Sequence, residues 1–145
     1  MKMMEMKELL KKIEQLLIED QIETKMIIEL MTELLKLHVK GLKIDNYIGD
    51  YPTFMEPVVL GDNVRIGDDV LIGPNIYIGN NSDIGDFVEI SNSIIFDNVK
   101  IGNNIKLDNC IVAKDCKLNF NNYTNKNSIL KGIANSKEEL EVISL

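Results

Sequence analysis

The chain has 145 residues, with 16 Lys and Arg against 23 Asp and Glu, a formal charge of -7. That length holds one domain and an appendage, and that charge argues against non-specific nucleic-acid binding. No apolar run is long enough to span a bilayer and the first residues show no signal-peptide core, so a soluble, cytoplasmic chain is expected.

Residues 1–41 form an N-terminal segment, for packing or oligomerisation. Residues 2–40 contain no Gly or Pro and are dense in Leu, Ile, Met, Glu and Lys, all good helix formers. Met3, Met6, Leu10, Ile13 and Leu17 make one apolar stripe at helical spacing, with Leu9 and Leu16 beside it. Asp20-Gln21-Ile22-Glu23 has the form of a capping box opening a second helix that runs to about Val39. Two helices are preferred. One continuous helix is the alternative, because nothing in the sequence forces the break. Either way the apolar surface is too large for an isolated helix in water and needs a partner.

Residues 42–131 carry a hexapeptide repeat, the sign of a parallel β-helix of about four triangular coils. Ile48, Ile66, Ile84 and Ile101 form one inward ladder. Phe54, Ile72, Ile90 and Leu107 form a second, and Leu60, Ile78, Phe96 and Ala113 a third. The spacing is 18, then 18, then 17 in the first two ladders, which puts a dropped residue between Phe96 and Ile101. A second dropped residue falls between Ala113 and Leu118. Corners such as Gly61-Asp62-Asn63, Gly67-Asp68-Asp69 and Gly102-Asn103-Asn104 suit residues that tolerate positive φ. Pro52 and Pro57 lie in the first coil, where lost ladder hydrogen bonds are tolerated. Beyond Leu118 the repeat decays, and Asn119 to Asn127 is expected to loop out before Ser128-Ile129-Leu130 returns as a strand. Residues 132–145 are expected to cap the open end, with a short helix opened by Ser136-Lys137-Glu138-Glu139.

The residue five after each inward position faces outward. One side then presents Arg65, Asp83, Lys100 and Lys117, all charged, and another presents Thr53, Leu71, Glu89 and Lys106. The third presents Val59, Tyr77, Ile95 and Val112, an apolar ladder that reads as a docking surface for the helices or for another subunit. With Leu10, Ile13 and Leu17 these are the candidate interface residues. One helix is long enough to cover the ladder, which leaves the other free to bundle with neighbouring subunits.

Phrases such as Val64-Arg65-Ile66-Gly67-Asp68-Asp69, Ile72-Gly73-Pro74-Asn75 and Ser93-Ile94-Ile95-Phe96-Asp97-Asn98-Val99-Lys100-Ile101-Gly102 resemble the C-terminal left-handed β-helix of sugar-phosphate nucleotidyltransferases. The bifunctional enzymes that form UDP-N-acetylglucosamine are in that group. The resemblance covers roughly residues 44–124 and implies left-handed coiling and a trimer. It places the family's nucleotidyl transfer in a separate N-terminal domain with a Gly-rich phosphate loop, of which these residues show nothing.

Acetyltransferases of this kind use a solenoid histidine as general base. Aligned here, that position falls near Asn103, and the chain's single histidine, His38, lies in the helical segment. One His and two distant Cys, Cys110 and Cys116, make no zinc set, and paired corner acids such as Asp68-Asp69 serve local amides. No cofactor and no metal are expected. The expected role is a non-catalytic scaffold or regulatory subunit, a homo-oligomer with a trimer as first guess, and a partner for a separate nucleotidyltransferase chain. The rival class is a sugar-nucleotide or amino-sugar acetyltransferase with an atypical or inter-subunit active site. A third reading is a degenerate fragment of a larger transferase.

Overall fold

A computed structural model describes residues 5–145. It is a parallel β-solenoid of about five turns preceded by two helices, one turn more than the repeat suggests. The helices are α1 (Met6–Leu17) and α2 (Thr24–His38). The break falls where the sequence places it. The capping box does not form: α2 starts after Glu23 without a side-chain cap. Met3 lies outside the described residues.

Three faces enclose the solenoid core. The charged face stacks Arg65–Ile66, Asp83–Ile84, Lys100–Ile101, Lys117–Leu118 and Ile133–Ala134 in one five-stranded parallel sheet. The mixed face stacks Thr53–Phe54, Leu71–Ile72 and Glu89–Ser91 on the first half of Ile105–Val112. The third face stacks Leu42–Lys43, Val58–Leu60, Ile76–Ile78 and Ser93–Ile95 on the second half of that same long strand. Tyr123–Lys131 repeats Ile105–Val112 one coil on.

Asn119 to Asn127 therefore does not loop out. Asn121, Asn122 and Asn127 hold corner positions of a further coil: Asn104 donates its amide to Asn122 Oδ1 (2.7 Å), and Asn109 does the same to Asn127 (2.7 Å). Asparagine is polar by composition, yet stacked amides make it a structural residue here.

The corners divide two tasks. At most corners positive φ falls on Asn or Asp, as at Asn63 (57°), Asn81 (59°) and Asn98 (58°), residues whose side chains tolerate the left-handed region. Gly41, Gly73 and Gly132 also take positive φ, but the other glycines do different work. A Cβ on Gly67 would collide with the Asp86 carboxylate, and one on Gly102 with the Phe120 carbonyl. Gly49, Gly61, Gly67, Gly79, Gly85 and Gly102 are small because the next coil lies against them. The neighbouring backbone N–H then reaches a side chain one coil away, as Asp68 N–H reaches Asp86 Oδ1 (2.9 Å).

The dropped residue lies elsewhere than the repeat suggests. Ile72 and Ile76 are joined by Gly73-Pro74-Asn75, whereas Ile90 and Ser93 are joined by Ser91-Asn92 alone. The shortening sits at the corner before the third face. The register moves with it: Ile78 pairs with Ile95, and Tyr77 with Ile94. Ile95 and Val112 thus point into the core, and Phe96 and Ala113 out of it. At the start, Ile48 bridges to Arg65, an outward position, and is 48% exposed. It does not belong to the inward ladder.

The predicted C-terminal helix is a single 3-10 turn, Lys137–Glu139, followed by a strand, Glu141–Ser144. That strand pairs antiparallel with Ser128 to Lys131, and Leu140 enters the core. The pairing covers strand groups that would otherwise stand open. Among the described residues no helix is long and apolar enough to cross a membrane.

Candidate functional surfaces

Outward on the third face stand Val59, Tyr77, Ile94, Ile111 and Ile129, completed by Ile143 of the antiparallel strand. Both helices cover them. Leu9, Ile13 and Leu17 of α1 and Ile27, Met31 and Leu34 of α2 share one buried cluster with Ile94, Ile111 and Ile129. Of the candidate interface residues, Val59, Tyr77 and Leu10 lie half-buried in this cluster and Ile13 and Leu17 fully within it. Ile95 and Val112 sit in the core instead. Leu9, which flanks the expected α1 stripe, is one of its buried residues. Neither helix is left free of the ladder. One signal could have found the true register: Asn75 and Asn92 are 17 apart, so a residue is already missing before Ile94.

This contact buries polar atoms. Burial pushes the Tyr77 phenol up to about 12, helped by Asp97, Glu14 and Asp62. Burial also raises Glu14, with Asp97 and Asp115 adding and Lys114 opposing. Between the end of α1 and the solenoid lies a cavity of about 360 Å³ lined by Lys11, Glu14, Ala113, Lys114 and Lys131 among others. Lys131 closes one wall by donating its ammonium to the Leu17 carbonyl at the helix C-terminus, where cations are favoured.

The positions considered for chemistry are engaged otherwise. Asn103 Oδ1 accepts the Asp86 N–H (2.9 Å), and the Asn103 N–H donates to Asn121 Oδ1 (2.9 Å). It is a rung of a corner ladder. His38 ends α2, with Nε2 buried and without a hydrogen-bond partner among the described residues. No group of three His, Cys, Asp or Glu among them could hold a metal ion. Cys110 and Cys116 are fully buried, one coil after Ser93 and Val99. Burial pushes their thiols up to about 11 and about 12, far from nucleophile range at neutral pH.

Two faces stay open. The charged face presents Arg65, Asp83, Lys100 and Lys117 in register, as read from the sequence. The mixed face holds a shallow concavity of about 230 Å³ over Leu71, Glu89, Lys106 and Thr124, with Lys106 and Glu89 paired at 3.8 Å in solvent. Such an exposed pair contributes little.

A family model described as the GMPPB C-terminal domain matches residues 54–144. Searches of curated proteins and of solved structures gave no match. The matched span runs from the mixed-face strand Thr53–Phe54 to the closing strand Glu141–Ser144 and leaves out both helices. The chain therefore belongs to the GMPPB C-terminal domain family, a β-helix-type C-terminal domain of sugar nucleotidyltransferases.

Proposed function

We propose that the chain acts as a non-catalytic scaffold or regulatory module beside a sugar nucleotidyltransferase, assembled as a homo-oligomer with a trimer as the first guess. The observation that carries this is Asn103. The position where resemblance puts a general base holds an amide that satisfies one backbone N–H, while its own backbone satisfies the next rung. An amide accepts no proton at neutral pH, so it cannot serve as that base.

A partner nucleotidyltransferase chain and a cytoplasmic location belong to the same proposal. The family assignment supports the first, and the acidic chain, with no spanning helix among the described residues, is compatible with the second. The helices cover the apolar ladder within the chain, so assembly would use the charged face, the mixed face or the outer side of the helices.

The test is incubation of the full chain with acetyl-CoA and amino-sugar phosphates, followed by light scattering after size exclusion. The proposal expects no turnover above background and a mass above that of one chain. Saturable acetyl-CoA turnover that is lost in Asn103→Ala would overturn it.

A further inference from the structure

Among the described residues, thirteen other than glycine take a positive φ, and all but two of these are Asn or Asp. The exceptions are Tyr51 (52°) and Phe87 (56°). Both stand on the edge between the charged and mixed faces, two residues before a mixed-face strand. The register of Thr53, Leu71 and Glu89 fixes that alignment. The edge position between them is Asp69, and those after them are Asn104 and Asn122. A bulky side chain in the left-handed region is strained, and Asn in its place would not be.

Burial does not offset the strain, for Tyr51 is 95% exposed and Phe87 57% exposed. The two rings come from the same edge two coils apart, about 10 Å along the axis. A group seated midway along that edge is about 5 Å along the axis from each backbone position, and rings turned toward it come within the reach of about 6 Å over which a cation is drawn to an aromatic face.

Charge says what that group is. Asp69 stands between the rings, and the carboxylates of Asp50, Asp68 and Asp69 have no hydrogen-bond or ion-pair partner among the described residues. The adjoining groove, about 430 Å³, is lined by Asp50, Asp68, Asp83 and Asp86 with Arg65 as its one cation among the described lining residues. Corner carboxylates alone are ordinary in such a solenoid. The exposed rings are not, and they are the feature that needs an occupant.

We propose that this edge docks a basic segment of a partner protein, with an Arg or Lys side chain seated between Tyr51 and Phe87 over Asp69. A planar guanidinium suits the place best, because it stacks on a ring and bonds a carboxylate in one geometry. A second copy of this chain suits it less, since it brings a net charge of -7 toward an acidic edge. The surface goes beyond the scaffold reading and would serve an enzyme equally, so either can fail without the other.

The experiment is fluorescence anisotropy of a fluorescein-labelled hexa-arginine peptide titrated with the full chain at low salt. Phe87→Asn and Tyr51→Asn are compared with the parent. Neither substitution changes the charge, so long-range attraction is constant across the set. The parent is expected to bind saturably, each single variant to bind roughly fivefold more weakly, and the double variant more weakly still. Both variants are expected to melt at or above the parent temperature, because Asn suits the backbone at these corners. Tyr51 is so exposed that its loss does not threaten the fold. Absence of saturable binding by the parent overturns the proposal, as does undiminished binding by the double variant, which would mean that acidic charge alone holds the peptide. Conversion of an oligomer to a single chain by the double variant also overturns it, since the edge would then be a contact between copies.

Discussion

The solenoid interior and the helix-covered face bury the same kinds of side chain by different means. Inside, Ile66, Ile84, Ile101 and Leu118 stack on one another because each coil repeats the last. On the covered face, Ile94, Ile111 and Ile129 stack equally well, yet the repeat leaves them in water. Only α1 and α2, which lie outside the repeat, take them out of it. The interior follows from coil-to-coil register, while the covered face depends on two helices docking from outside. The covered face is therefore the first region expected to open.

The largest effect comes from breaking the interior. Ile72 is fully buried between Phe54 and Ile90, and Ile72→Asp would leave a carboxylate there without a partner. The expected cost exceeds about 4 kcal/mol, read as loss of the cooperative melt. A melt unchanged from the parent would refute the register. On the covered face, Ile94→Asp is expected to release the helices and leave the solenoid standing. Limited proteolysis should then cut between Ile18 and Glu23 while the β circular dichroism persists. Loss of both together would make helix and solenoid one cooperative unit.

A smaller effect separates ladder rungs from core. Asn103→Ala removes the acceptor of the Asp86 N–H at an exposed corner, so its cost should be about 1 kcal/mol. A denaturation midpoint shifted as far as that of Ile72→Asp would mean the corners carry the fold.

The effect of pH is confined to alkaline solution. Cys110 and Cys116 titrate at about 11 and about 12 in the folded chain, against about 8.5 when unfolded. Between those values the folded chain holds more protons than the unfolded one, so stability falls as pH rises through that window. Below the unfolded value the contribution is fully present. Melting followed from pH 8 to 11 should show the decline, and Cys116→Ala should flatten its slope by up to about 1.4 kcal/mol per pH unit. An unchanged slope would place the Cys116 thiol in contact with water.

Most of the interior was legible in the sequence, because an 18-residue stacking period leaves a signal in every coil. Ile66, Ile84 and Ile101, and Ile72, Ile90 and Leu107, stand where the spacing puts them. The covered ladder was half legible. Val59 and Tyr77 precede the shortened corner, whereas Ile95 and Val112 follow it. A slip of one residue sends a strand's side chains to the opposite face. The C-terminal coil was missed because Asn-rich sequence resembles a loop, although Asn121, Asn122 and Asn127 each lie 18 residues after an earlier corner residue. The aromatic edge left a signal that composition hides: Gly49-Asp50-Tyr51 and Gly85-Asp86-Phe87 stand 18 residues either side of Gly67-Asp68-Asp69. The positive φ of Tyr51 and Phe87 is what makes those two positions unusual.

The central claim is that the helices of this chain cover its own apolar ladder. Deleting residues 1–40 tests it most directly, with particle mass read by light scattering and exposed apolar surface by anilinonaphthalene sulfonate fluorescence. The account predicts a truncated chain that binds the dye strongly and either changes its mass per particle or loses solubility, with Tyr77→Glu in the full chain doing so more mildly. A truncated chain that keeps the parent's mass per particle, solubility and low dye binding would contradict it.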